Sequence, residues 1–188
     1  AAACAPDLRA DFPFDGAGGG TDRVVTTELG DGSFETEVNA SDKVSWVYLD
    51  LDTGAELDVP TALETQAWDL SFQRFKIVTN SGVSGPGGVE TAVLDGVAFE
   101  ALTVAPTDGY VVDRPDGSDA NTDVDSAFLE GDGWYAYSFS EHRLLPHDRL
   151  YVVRTTEGQD VKLRIESYYS DAGSSGYLRL RWAVLEAP

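Results

Sequence analysis

Val161-Lys162-Leu163-Arg164-Ile165-Glu166-Ser167-Tyr168-Tyr169 and Gly176-Tyr177-Leu178-Arg179-Leu180-Arg181-Trp182 decide the fold class. In both stretches apolar and charged residues alternate, as in half-buried strands, and the short loop Asp171 to Gly176 joins them. Upstream, Leu150 to Thr155 reads as another strand, joined to the first by the hairpin loop Thr155-Thr156-Glu157-Gly158-Gln159. Working back, Trp134 to Phe139, Tyr110 to Asp113 and Val97 to Val104 carry the same signal. Ala67 to Thr79 reads as one long strand, or two with a bend. Lys43 to Leu51 is rich in β-branched and aromatic residues and ends on the turn chemistry of Asp52-Thr53-Gly54. Arg23 to Leu29 and Ser33 to Val38 flank Gly30-Asp31-Gly32, a hairpin signal. Helix signals are nearly absent; Thr61 to Trp68 offers at most about two turns. About ten strands separated by turns predict an all-β chain, an antiparallel sandwich or barrel-like single domain. It spans residues 23–188, behind a Gly-rich N-terminal tether of residues 1–22.

The 188 residues are 42% hydrophobic, enough for a packed core. There are 33 Asp and Glu against 13 Lys and Arg, a formal net charge of -20. So few cations exclude an ordinary nucleic-acid surface and a basic patch for anionic lipid. Such acidity favours solubility and attracts divalent cations. No apolar run approaches the eighteen or so residues of a spanning helix. The start Ala1-Ala2-Ala3-Cys4, without Met or an apolar run, reads as a processed or truncated end. Cys4, the single cysteine, followed by Gly16, Gly18, Gly19 and Gly20, looks like the start of a bacterial lipoprotein. Against this, Ala1 stands where such signals usually carry Leu. A free thiol and a bond to another chain are the other two readings. A tail of this kind could also add a strand to a neighbouring copy, giving a homo-oligomer or filament.

Enzyme motifs are missing. There is no Gly-x-Ser-x-Gly elbow and no His-Glu-x-x-His. The glycine-dense loop from Asn80 to Gly88 lacks the Lys and the following helix of a phosphate cradle; it reads as structural, for tight turns at a strand exit. Between Asp113 and Asp132 the chain makes an acidic excursion. There Asp119, Asn121, Asp123 and Asp125 place oxygen ligands at alternate positions, with Glu130 eleven residues after Asp119. That is an approximate calcium-loop spacing, although Val124 replaces the required glycine. A Ca²⁺-binding loop and a solvated acidic loop stand side by side as readings.

Three further stretches complete a pattern. Trp46-Val47-Tyr48-Leu49-Asp50-Leu51-Asp52-Thr53-Gly54-Ala55-Glu56 is an aromatic strand ending in a Thr-Gly turn. Trp68-Asp69-Leu70-Ser71-Phe72 is followed by the loop Thr79-Asn80-Ser81-Gly82. Trp134-Tyr135-Ala136-Tyr137 leads into the loop that carries both histidines. With the last three strands, these pieces resemble the HmuY family of bacterial haem-binding lipoproteins, from about Trp46 to Trp182. The resemblance implies an all-β fold whose hairpins clasp haem like fingers, with iron held from both sides by His or, in some members, Met. It implies no catalysis, an extracytoplasmic location at the bacterial outer membrane or beyond, and delivery to a haem transporter.

This chain has no Met and two histidines, His142 and His147. His142 is the first candidate ligand, His147 the second, and Tyr110 the candidate opposite ligand, since phenolate can hold ferric haem. Two axial ligands must stand about 4 Å apart across the iron, so both histidines of one short loop are a poor pair. Arg143 and Arg149 are candidate partners for the propionates. The alternative function is an HmuY-like β scaffold without haem, a structural or adhesive subunit joined through its tail and stabilised by calcium.

Overall fold

The computed structural model describes residues 23–115 and 124–186. Thirteen strands account for nearly all regular structure; among the described residues there is no α-helix, and no helix is long and apolar enough to cross a membrane. The strands are β1 (Val24–Glu28), β2 (Phe34–Asn39), β3 (Val47–Asp50), β4 (Ala55–Leu57), β5 (Leu70–Gln73), β6 (Lys76–Thr79) and β7 (Glu90–Asp95). There follow β8 (Tyr110–Val111), β9 (Tyr135–Ser138), β10 (Arg143–Pro146), β11 (Arg149–Arg154), β12 (Asp160–Tyr169) and β13 (Ser175–Val184).

Seven strands form one antiparallel sheet in the order β1-β2-β13-β12-β11-β7-β8, and four form a second in the order β4-β3-β5-β6. The alternation in β12 and β13 sends Val161, Leu163, Ile165, Leu178, Leu180 and Trp182 to the inner face. The small sheet answers with Leu49, Leu70, Phe72 and Ile77, and the two faces close one core between them. This is a sandwich: β1 and β8 are open edges of the large sheet, β4 and β6 of the small one, and neither closes into a barrel.

The third unit is the β9–β10 hairpin, which pairs with neither sheet and projects from the molecule. Its root is fixed. Trp134, fully buried, packs on Tyr168 and donates its indole N–H to the Phe75 carbonyl at 3.0 Å. Leu144 N–H donates to the Tyr169 hydroxyl at 2.9 Å. Register shifts in the β12–β13 pairing fall at Ile165–Ser167 and Ser167–Tyr169, so the end of β12 bends where Tyr168 and Tyr169 meet the hairpin.

Several expected elements change form. Ala67 to Thr79 is two strands, because Arg74 adopts φ 55° and turns the chain back within two residues. No glycine marks that turn. Val97 to Val104 is not a strand but a short 3-10 turn (Phe99–Ala101) lying over the outer face of the large sheet. Its carbonyls are claimed from below: the Lys162 ammonium donates to Phe99 O at 2.6 Å and Leu102 O at 2.8 Å. Three strands carried no signal of their own, β4, β7 and β10; the last runs through the histidine loop.

The glycine-dense loop is structural, as expected, for two separate reasons. Gly82 has φ 51° and a Cβ there would meet the Asp113 carbonyl at 1.9 Å. Gly85 and Gly87 leave room for the Asn80 amide, which donates to Thr65 O and Trp68 O and accepts from Gly87 N–H.

Candidate functional site

In β3, β5 and β6 the residues facing away from the core are Tyr48, Ser71 and Val78, which the strand register places side by side. Over them lies a cleft of about 330 Å³. Its walls are aromatic. Trp46, Trp68, Phe75 in the β5–β6 turn and Tyr135 in β9 line it. Trp68 meets Tyr48 edge-on at 5.2 Å between ring centres, and Phe75 meets Tyr135 at 6.0 Å. Ser84, Ser126 and Leu129 bring the glycine loop and the end of the acidic excursion to the rim. Among the described residues, Lys76 is the only charged one lining the cleft, which is unusual in so acidic a chain. Burial raises the Tyr48 phenol, so it stays neutral and can donate or accept a hydrogen bond.

Tyr135 also begins a second surface. Residues two apart on a strand share a face, so Tyr137 continues outward from Tyr135 along β9. Beyond it, at the hairpin turn, Phe139 is 83% exposed and meets Tyr137 edge-on at 5.0 Å. His142 closes the same turn at φ 54°, and its Nδ1 lies 2.9 Å from the Tyr137 hydroxyl. An aromatic stripe therefore runs from the cleft to an exposed imidazole.

The other expected ligands lie elsewhere. His147 is half-buried at the foot of β10, with Nδ1 3.1 Å from the Gly133 carbonyl; that contact makes Nδ1 the donor and leaves the Nε2 lone pair. The two histidines are the ends of a run of six residues that β10 extends, about 16 Å at the usual strand rise. They cannot meet across one iron. Tyr110 is not opposite either of them. It belongs with Ala92 and Val152 on the outer face of the large sheet, whereas the hairpin packs against the inner core. Its hydroxyl donates to Asp160 at 3.1 Å under the Arg154 guanidinium, and burial and the Asp160 charge raise its pKa to about 12. Arg149 is committed too, to both oxygens of Asp95 and to the carbonyls of Glu130 and Gly133. Arg143 remains beside His142, stacked on Tyr169 at 3.9 Å.

Of the expected calcium ligands, Asp119, Asn121 and Asp123 lie outside the described residues, as does Cys4 with residues 1–22. Glu130 forms an ion pair with Arg114, and Asp125 pairs with Arg114 through the backbone. The sequence did not point to the cleft. Its aromatics stand in stretches that read as core strands, and only the pairing register turns Tyr48 and Ser71 outward.

The family model described as HmuY protein matches residues 42–182. The chain belongs to the HmuY family. Solved structures agree on the fold. A candidate lipoprotein from Bacteroides fragilis superposes with a TM-score of 0.63 at 21% identity, over 88% of this chain and 97% of that one. A candidate HmuY-like haem-binding protein from Bacteroides vulgatus gives 0.57 at 19%, over 85% and 95%. The apo form of an HmuY analogue from Tannerella forsythia gives 0.56 at 14%, over 87% and 97%. No curated protein matches the sequence.

Proposed function

We propose that this HmuY-family chain is a non-enzymatic, extracytoplasmic haem-capture protein that hands its ligand to a transporter. The stripe from the cleft to the hairpin tip is the bed, and His142 is the single axial ligand. The observation that carries this is the tip itself: a nearly fully exposed Phe139 stands with Tyr137 beside an exposed imidazole, on a hairpin whose root is locked into the core. Among the described residues the donor set fits haem held from one side. It does not fit bis-axial ligation, because His147 and Tyr110 are both removed from the tip.

Bound haem would supply a ferric centre in need of a neutral nitrogen donor. The chain supplies that nitrogen through the Tyr137 contact. When His142 Nδ1–H donates to the Tyr137 oxygen, Nε2 carries the lone pair and points its ring from a fixed position. Phe139 and Tyr137 exclude water from one face of a flat ligand. Lys76 at the cleft and Arg143 beside the tip would suit carboxylate side groups. The lipoprotein description of the Bacteroides fragilis relative and the family membership support placement outside the cytoplasm.

The test is a titration of the purified chain with ferric haem, followed in the Soret band. The expected result is a saturable shift that His142→Ala abolishes and Tyr137→Phe weakens about tenfold, the usual cost of losing a group that orients a ligand. His147→Ala leaves it unchanged. A flat spectrum overturns the haem reading in favour of the scaffold, and a shift that survives His142→Ala overturns the ligand assignment.

A further inference from the structure

At the end of the sandwich away from the hairpin's aromatic tip lies a cluster that neither the family membership nor haem binding uses. Asp50 ends β3, Asp52 sits in the turn to β4, and Asp69 precedes β5. Each brings a carboxylate oxygen to within 4.8 Å of the other two. Three like charges at that distance repel strongly in a buried site. The chain nevertheless builds them in with care. Asp50 accepts from the N–H groups of Asp52 and Thr53 and from the Thr53 hydroxyl. Asp69 accepts from Leu51 N–H and from Thr156 N–H, both at 2.7 Å. Asp52 accepts from the Thr155 hydroxyl at 2.7 Å through Oδ1, and the Glu157 backbone N–H also bears on its carboxyl. Its other oxygen, Oδ2, is buried without a hydrogen-bond partner, on a residue only 4% exposed. A buried carboxylate oxygen left bare within a carboxylate cluster is expensive unless something positive meets it.

We propose that Asp50, Asp52 and Asp69 form a binding site for a divalent cation, Ca²⁺, that ties the β3–β4 turn to the β11–β12 loop. The chemistry of the donors selects the ion. All three are hard oxygens, with no imidazole or thiolate among them, which suits Ca²⁺ and disfavours Zn²⁺. Ligands on opposite sides of Ca²⁺ stand about 4.6–5.2 Å apart, given Ca–O distances of about 2.3–2.6 Å, so a 4.8 Å spread accommodates the ion. Each hydrogen-bonded oxygen keeps a second lone pair for it. The anchoring bonds come from both sheets: Thr155 and Thr156 belong to the loop between β11 and β12, more than 80 residues from Asp69. Glu157, exposed on that loop, adds a fourth negative charge that bears on Asp52. The site is separate from the acidic excursion, where Glu130 already has Arg114.

Protons compete with the ion for the same oxygens. Burial, followed by mutual repulsion, raises Asp52 to about 6 and Asp69 to about 7.

The experiment uses the full chain, stripped with chelator and held at pH 8. It is titrated with CaCl₂ by calorimetry and melted with and without the ion. One-site binding is expected, with a melting temperature raised by about 5–10 °C at calcium a hundred times its Kd. Asp52→Asn abolishes both signals, and Glu157→Gln, on an exposed side chain that leaves folding intact, weakens binding several-fold. The double variant Asp125→Asn/Glu130→Gln changes neither. Absence of heat with superimposable melts overturns the proposal. So does a calcium response that survives Asp52→Asn or is lost in the Asp125/Glu130 variant. Should Asp52→Asn fail to fold, unchanged affinity in Glu157→Gln overturns it. None of these readings depends on haem.

Discussion

Two buried carboxylate sites lie in this sandwich, and they are built on opposite principles. Asp113, 1% exposed, sits where the glycine loop and the end of the acidic excursion meet β6. Its oxygens accept from Thr79 N–H and hydroxyl, from the Ser84 hydroxyl and from Ala127 N–H, four donors in all. Asp52 sits among two other acids, with the Thr155 hydroxyl on one oxygen and the other oxygen bare. Both carboxyls are raised by burial. The first is a solved problem: its negative charge is answered by aligned dipoles, and it works as a structural rivet. The second is unresolved within the chain, and that is the mark of a group waiting for a partner.

The largest effect expected from this contrast is at Asp113. Asp113→Asn keeps the shape and exchanges one acceptor oxygen for an amide N–H₂ that faces donors. Thr79 N–H, buried in β6, then loses its partner or meets another donor. The expected loss is about 2–3 kcal/mol, read as a lower urea midpoint with an unchanged slope. A change below about 0.5 kcal/mol would mean that the four donors are not what holds the loop.

How much of this was visible beforehand depends on distance along the chain. The large sheet was legible because β12 and β13 alternate over ten residues each and the loop between them is short. Turns made by unexpected residues were not: Arg74 and His142 take positive φ without being glycine, and each hides a strand boundary. His142 and His147 stood out by residue type alone, and the structure separates them because β10 runs straight between them. Asp50 and Asp52 read only as turn chemistry and Asp69 only as part of a Trp-Asp strand motif. Nothing local marks them as neighbours, since β3–β5 pairing and a loop a hundred residues later bring them together. The cleft was hidden for the same reason.

The second effect reads the charge of the cluster by pH. Above about pH 4 an unfolded aspartate has released its proton, while folded Asp52 and Asp69 hold theirs to about 6 and about 7. The folded state then binds more protons than the unfolded one, so stability falls as pH rises from about 4 to about 7 and levels off above that. Asp31 and Asp42 oppose this only below pH 4. Ser33 holds the first low through its hydroxyl and N–H, and the N–H groups of Ser45 and Val44 hold the second low. In chelator, melting temperature should decline across pH 5 to 7; saturating calcium should flatten the decline by answering the same charges. A melting temperature that rises across that range in chelator would break the contrast, because it would place the charges of the cluster among the stabilising groups.

The smallest effect is the sharpest, because it reverses sign between the sites. Asp52→Asn removes one of three clustered charges and keeps an oxygen to accept from the Thr155 hydroxyl. The new amide N–H₂ takes the place of the bare Oδ2 and can donate to Asp50 or Asp69, whose oxygens have lone pairs to spare. In chelator at pH 8 this variant should be more stable than the native chain by about 1 kcal/mol, the typical gain of one net hydrogen bond. The same exchange at Asp113 costs stability. Below about pH 4, where Asp52 is protonated in the folded and the unfolded chain alike, the advantage should vanish, because an amide and a neutral carboxyl present the same donor and acceptor. With saturating calcium at pH 8 the order inverts, since only the native chain gains from the ion. Equal stability of native and Asp52→Asn proteins at pH 8 in chelator would mean that the bare oxygen is met by water, and the two aspartates would then differ in degree and not in kind.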